Sequence, residues 1–324
     1  MRHKILSLED RAFYNPDDIV SFSDKVDIIF KSYSQHQLTR NVGGYDGIIL
    51  DGDLQIDEEV LTKTSRLKVI SRFGVGYDSV DVEACTHHKV YVTITPVLSE
   101  AVSELTFGLI LCLSRSILKA DTFTRKCWAK KTTQFPPGRD LHNKILGIIG
   151  LGRIGYQVAK RGYAFDMKIL YTDKIRNKQA EKLFEAKRVP LDELLVKSDY
   201  TTIHMPLNLE TRRMIGEKQL SQMKESAFLI NTSRGGIIDQ VALKRSLIEK
   251  QIAGAALDVF EVEPLPETDS LATLENVILT PHIGSNTVET RRRMGFVAID
   301  NIIRVLEGRP PVNLVPEQQR LSIE

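Results

Sequence analysis

Cysteine is scarce in this chain: three residues in 324, Cys85, Cys112 and Cys127, widely separated and odd in number. No CxxC pair and no Cys/His metal spacing occurs, so neither a disulfide framework nor a metal site is expected. Such cysteine usage fits a reduced, cytoplasmic protein. An excess of one charge is also missing. Lys and Arg number 44 against 42 Asp and Glu, a net charge of +2. Without a dense basic stripe, nucleic acid is not an expected partner. The short basic runs at 126–131 and 291–293 read as solvated faces. Long hydrophobic runs are absent too. The most apolar stretch, 105–113, falls well short of the roughly 20 residues that span a bilayer, so no membrane partner is expected. The start, MRHKILSLEDR, has an apolar patch broken by acids and does not read as a signal peptide.

What is present is ordinary for a globular chain: 42% hydrophobic and 27% charged residues. The length suggests about two domains at roughly 150 residues each. Short runs rich in Val and Ile at 4–8, 26–30, 47–50, 67–71 and 90–94 read as strands, with helical segments such as 57–64 between them. That alternation predicts a parallel sheet covered on both faces. Thr95-Pro96 breaks the pattern, because proline disfavours helix for the residue before it. An apolar helix over 99–118 follows. A second alternation then places strands at 145–149, 168–172, 201–204, 227–231, 254–258 and 277–279. Helices near 154–165, 191–196, 217–223 and 240–249 separate them. The amphipathic stretch 287–306 reads as one long helix that crosses back to cover the first sheet. The chain is thus predicted to divide into a discontinuous domain, 1–98 with 288–324, and an inserted one, 99–287.

The strongest local signal is GLGRIG, with Gly150, Gly152 and Gly155 in the GxGxxG spacing directly after an apolar strand and opening a helix. Gly150 permits a tight turn, Gly152 lets the backbone approach a pyrophosphate, and Gly155 lets helix and strand pack closely. The amides of Arg153 and Ile154 at the helix start favour an anion. Asp173 ends the next strand, 23 residues after Gly150. A carboxylate there accepts from ribose hydroxyls and repels a 2′-phosphate, which predicts NAD as the cofactor in preference to NADP, with Lys174 and Arg176 close by.

Three later strands each end in an unusual polar residue: Arg234 in NTSRGG, Glu263 in DVFEVEP and His282 in TPHIGS. In an open parallel sheet, ligands bind outside the carboxyl ends of the strands. Each residue alone also fits a surface ion pair or a turn. Together, behind a dinucleotide cradle, they suit one chemistry: a cation fixes a carboxylate-bearing substrate, a histidine moves a proton, and a carboxylate holds the histidine.

These motifs, with FGVGYDSVD at 73–81 and HMPL at 204–207, resemble the D-isomer-specific 2-hydroxyacid dehydrogenase family over nearly the whole chain and in that family's order. The resemblance implies an α/β fold of two doubly wound parallel-sheet domains, a Rossmann cofactor domain inserted in a flavodoxin-like substrate domain. It implies that Arg234 binds the substrate carboxylate and carbonyl oxygen, that His282 exchanges a proton with that oxygen, and that Glu263 raises the histidine pKa. Backbone amides at Val75 and Gly76 would hold the carboxylate. Asp258 would contact the nicotinamide amide, and Met205 and Thr232 would line the cofactor. A homodimer formed through the cofactor domain, with Trp128 at the contact, and closure by hinges near Pro96 and Ser285 are also implied.

The substrate is less legible. Residues 68–78 look most like short phosphoglycerate dehydrogenase-like members, and Arg72 is the candidate phosphate contact, with Lys130 and Lys131 behind it. The best expectation is a D-3-phosphoglycerate dehydrogenase. Asp51 and Asp53, where better-known phosphoglycerate dehydrogenases carry arginine, would repel a phosphate. A glyoxylate or hydroxypyruvate reductase is the alternative. A co-repressor-like protein that binds NAD without turnover is a third reading.

Overall fold

The computed structural model describes residues 2–52, 54–130 and 134–319. It divides into two compact units: unit 1, Met1–Leu98 with Ser285–Glu324, and unit 2, Ser99–Gly284.

Unit 1 is built on five parallel strands: β1 His3–Ser7, β2 Val26–Phe30, β3 Gly47–Leu50, β4 Val69–Arg72 and β5 Tyr91–Thr93. Their spatial order is β2-β1-β3-β4-β5, the flavodoxin-like winding. All four residues of β3, Gly-Ile-Ile-Leu, are buried, as expected of a parallel strand covered on both faces. The long C-terminal helix Val288–Leu306 covers one of those faces. Thr287 caps it by accepting from the Thr290 amide, and its Ile302 lies against Gly47 of β3.

Unit 2 carries seven parallel strands: β6 Ile145–Ile149, β7 Lys168–Thr172, β8 Lys187–Arg188, β9 Tyr200–Ile203, β10 Phe228–Asn231, β11 Gly254–Leu257 and β12 Val277–Leu279. The order is β12-β11-β10-β9-β6-β7-β8. The winding reverses between β6 and β9, which makes their carboxyl ends the expected crevice for a dinucleotide. The cores on the two faces of this sheet are separate. Phe107, Ile110, Leu146, Ile148 and Tyr171 belong to one, and Ile149, Leu194, Ile203 and Leu229 to the other. Successive residues of β6, Ile148 and Ile149, therefore point to opposite faces, as the pleat requires.

The structure departs from the sequence expectation in several places: the helix Lys178–Phe184 was not anticipated, and the helix expected over 57–64 is shortened to Glu58–Leu61. Strand β8 was not anticipated; its two exposed residues, Lys and Arg, carry no apolar signal. The predicted helix 99–118 is two helices, Ser99–Arg115 and Ile117–Lys126, bent by 55°. Ser116 between them has φ +50°, a left-handed conformation that interrupts the helical hydrogen-bond ladder. Among the described residues, no single helix is long and apolar enough to cross a membrane.

Candidate active site

The glycine loop leaves β6 through Gly150, whose φ of +93° suits glycine. A side chain there would also collide with the His204 carbonyl oxygen at 2.7 Å and the Met205 sulfur at 2.8 Å. The ends of β6 and β9 thus touch through a missing Cβ, and Met205 borders the loop. Gly155 packs onto the loop itself; its Cβ would meet the Gly150 oxygen at 2.1 Å. A Cβ on Gly152, by contrast, would meet nothing within 4 Å. The protein therefore leaves space over Gly152, at the N-terminus of helix Arg153–Ala164, where the first amides have no intrahelical partner. This cradle fits a pyrophosphate.

Asp173 reaches back to the same loop. Its Oδ2 accepts from the Leu151 amide at 2.7 Å, and Oδ1 accepts from Ile175 N at 3.0 Å. A carboxylate accepts about four hydrogen bonds, so acceptor capacity remains for ribose hydroxyls. The cations around it are engaged elsewhere. Lys174 pairs with Glu210, and Arg176 pairs with Glu181 at 2.8 Å. Arg188 donates to the Asp173 and Lys174 carbonyls.

At the other end of the sheet, His282 Nδ1–H donates to Glu263 Oε2 at 2.7 Å. The second Glu263 oxygen accepts from the Phe260 amide at 2.9 Å, which orients the carboxylate. The Glu263 hydrogen bond raises the His282 pKa above its ordinary value; burial and Arg234 oppose it, and the Glu263 and Asp258 charges support it. Burial alone would raise the Glu263 carboxyl. The hydrogen bond and charge of His282, the Phe260 amide and Arg234 outweigh that and hold it low. With Nδ1 given to Glu263, Nε2 is the ring nitrogen left to exchange a proton.

The backbone of His282 has φ +53°, which is costly for a residue with a Cβ and persists only where its surroundings enforce it. Asp258 does so. This fully buried residue accepts from Thr280 Oγ1 at 2.6 Å and from the Ile283 and Gly284 amides at 2.9 and 2.8 Å. Its own carbonyl accepts from the His282 amide at 3.0 Å. Asp258 therefore clasps the histidine turn on both sides. Burial raises its carboxyl pKa against these donors and the His282 charge. The sequence marked Asp258 for the cofactor and missed the clasp, which depends on a turn geometry invisible before folding.

Arg234 follows β10. Asn231 organises that turn: its Nδ2 donates to the Arg234 carbonyl at 2.9 Å, and its Oδ1 accepts from Ser233 N at 3.1 Å. The half-buried Arg234 donates from Nη1 to the Ser233 carbonyl. Thr232 is buried, and its hydroxyl pairs with that of Thr106 at 3.0 Å.

In unit 1, the Val75 and Gly76 amides are half-buried and donate to no group among the described residues. The phosphate expectation for Arg72 needs correction. Arg72 is 7% exposed, and its guanidinium donates to the Gly76 carbonyl at 2.9 Å and the Gly52 carbonyl at 3.0 Å. It braces the 73–76 loop from inside, because β4 ends with this side chain directed into the protein. Asp53, Lys131 and the Lys130 side chain lie outside the described residues. No group of three or more His, Cys, Asp or Glu suited to a metal occurs among the described residues.

Residues 107–284 match the family described as D-isomer specific 2-hydroxyacid dehydrogenase, NAD binding domain. A glyoxylate reductase from Thermofilum pendens is 45% identical over 289 residues, covering 88% of this chain and 85% of the relative. The structure of a glyoxylate reductase from Paecilomyes thermophila superposes with a TM-score of 0.88 at 30% identity, covering 98% and 99% of the two chains. An NADPH-dependent glyoxylate/hydroxypyruvate reductase from Sinorhizobium meliloti, solved with NADP and malonate, gives 0.86 at 29% identity, with 98% of each chain covered.

Proposed function

Because the chain belongs to the D-isomer-specific 2-hydroxyacid dehydrogenase family, an oxidoreductase family with an NAD-binding domain, we propose that it reduces glyoxylate to glycolate, which is achiral, or hydroxypyruvate to D-glycerate. The observation that carries this reading is the Glu263–His282 pair at 2.7 Å, on the same sheet edge as Arg234 and the glycine cradle. When bound, NADH supplies the hydride. Arg234 holds the substrate carboxylate and draws electron density toward the carbonyl oxygen. His282 Nε2–H gives its proton to that oxygen as the carbon accepts the hydride. The balance is keto acid, NADH and one proton to hydroxy acid and NAD⁺. Glu263 keeps the histidine charged beforehand and stabilises it in one orientation.

Two features favour a small acceptor over 3-phosphohydroxypyruvate. The relatives that align over most of the chain include glyoxylate reductases at 44% and 45% identity. Arg72, the cation expected for a phosphate, is buried and turns Nε and Nη1 to the Gly76 and Gly52 carbonyls. The test is initial rates of NADH oxidation with glyoxylate, hydroxypyruvate and 3-phosphohydroxypyruvate. The proposal expects the first two to give the higher kcat/KM, and preference for the phosphorylated acceptor would reverse it.

A homodimer is part of the same reading. Helix Ile117–Lys126 buries none of its residues, and Ile117, Leu118 and Trp128 stand 44%, 54% and 65% exposed along one arm. Apolar exposure of this kind marks an association surface. Light scattering should give twice the chain mass; a mass near 36.6 kDa would contradict it.

A further inference from the structure

Unit 1 has its own winding reversal, between β1 and β3. The carboxyl ends of those strands form the crevice where ligands of flavodoxin-like sheets bind. Two acids stand there: Glu9, just beyond β1, and Asp51, just beyond β3. Between them lies a cation. Arg291, from the helix over this sheet, reaches Glu9 Oε2 with Nη1 at 2.8 Å and Asp51 Oδ2 at 3.4 Å. The three side chains are 9%, 32% and 14% exposed in the order Glu9, Asp51, Arg291. The guanidinium lies over the rings of Phe13 and Phe73, at 4.9 and 5.5 Å. Phe73 leads directly into the loop carrying Val75 and Gly76. Arg291 Nε is buried and has no hydrogen-bond partner among the described residues.

The charges balance locally. Burial, then the neighbouring Asp51, push Glu9 up to about 8 against the Asp10 amide and Arg291. Asp51 is held low despite burial, by its hydrogen bond to Glu9, by Arg291, by the Gly52 amide and by Arg72. Near neutral pH, one anion and one neutral acid therefore face Arg291. The hydroxyls of Ser7 and Tyr14, paired at 2.8 Å, close the cluster from β1 and the segment after it. An arginine at a ligand crevice, beside a loop with unused amides, is the group that would recognise a second anion on a substrate. Here two acids occupy it.

We propose that Glu9 and Asp51 set the substrate range by withholding Arg291, so that 2-keto acids without a second anionic group are preferred to phosphorylated or dicarboxylic ones. This rests on the reading of the chain as a small keto-acid reductase and names the residues that enforce it. The two acids are specificity determinants that act through Arg291.

The experiment compares the wild type, Glu9→Gln/Asp51→Asn, and the same double variant with Arg291→Met. Rates with NADH are measured on glyoxylate, oxaloacetate and 3-phosphohydroxypyruvate, and binding of 3-phosphoglycerate is followed by titration calorimetry. In the double variant, the ratio of kcat/KM for the anionic acceptors over glyoxylate should rise at least about tenfold, the scale of one gained charge-assisted hydrogen bond. Arg291→Met should abolish that gain. An unchanged ratio in a folded double variant, or a gain that survives Arg291→Met, overturns the proposal. If the double variant does not fold, Asp51→Asn alone is read in the same way, with a smaller rise expected. A wild type inactive on glyoxylate would refute the reductase reading, while calorimetry would still decide whether the acids withhold Arg291.

Discussion

Gly235 lies against the backbone of Phe260 so closely that a Cβ on it would stand 1.9 Å from the Phe260 carbonyl carbon and 2.5 Å from the Glu261 nitrogen. The loop carrying Arg234 and the loop carrying Glu263 are therefore in direct main-chain contact. Neighbouring side chains reinforce that contact. Gln240 accepts from the Glu261 amide at 3.1 Å, and Arg213 pairs with the Glu261 carboxylate at 3.1 Å.

Replacing Gly235 with alanine should thus disturb both loops together. The backbone must move, because the clash is with main chain rather than a flexible side-chain end. We expect a stability loss of about 1–3 kcal/mol, as for overpacking. A misplacement of about 1 Å can cost on the order of 10²-fold in rate, which sets the expected fall in kcat/KM. Thermal unfolding and steady-state kinetics check this. A variant with wild-type Tm and rate would show that the loops tolerate separation.

The pH dependence follows from the raised His282 pKa. Reduction requires the protonated ring, so the rate should fall as pH rises through that elevated value. Glu263→Gln removes the main cause of the elevation, and the fall should then begin at lower pH. The measurement is kcat/KM for keto-acid reduction against pH in both proteins. Superimposable profiles would show that Glu263 does not tune the histidine.

Asp258→Asn separates two roles for that residue. As the clasp of the His282 turn, it should lower kcat by about 10²-fold and alter the pH profile while leaving the KM for NADH nearly unchanged. An effect confined to NADH affinity would instead assign Asp258 to the nicotinamide. Fluorescence titration with NADH distinguishes these outcomes.

Cofactor preference should narrow in Asp173→Ala. Losing a charged acceptor for the ribose hydroxyls should reduce the NADH-over-NADPH ratio of kcat/KM by about tenfold, the usual scale of such a bond. Arg176 remains paired with Glu181, so the single change should narrow the ratio without inverting it. An unaltered ratio would remove Asp173 as the determinant.

Much of the molecule was readable in advance because parallel strands buried on both faces leave continuous apolar runs. Ile145–Ile149 and Lys168–Thr172 coincide with their expected bounds for that reason. The glycine cradle and the Arg, Glu and His after later strands were legible because each stands where an apolar run stops. What was hidden depended on geometry rather than residue type. Lys187–Arg188 is a strand only through pairing with β7. Ser116 breaks a helix by its backbone angle, not by its identity. Arg72 looked like a phosphate ligand, but the sequence could not show that its side chain would be buried with two N–H groups on the Gly52 and Gly76 carbonyls. The Arg291 cluster joins residues 240 and more positions apart, beyond the reach of any local pattern.

In the proposed reaction, His282 is the proton donor for NADH-dependent reduction of a small 2-keto acid. The most direct measurement is single-turnover reduction of glyoxylate by NADH-loaded wild type and His282→Ala, with NADH affinity determined separately by fluorescence. His282→Ala should bind NADH within a small factor of wild type and turn over on the order of 10²–10⁴-fold more slowly, the contribution of a positioned acid. Turnover at the wild-type rate in His282→Ala would contradict it.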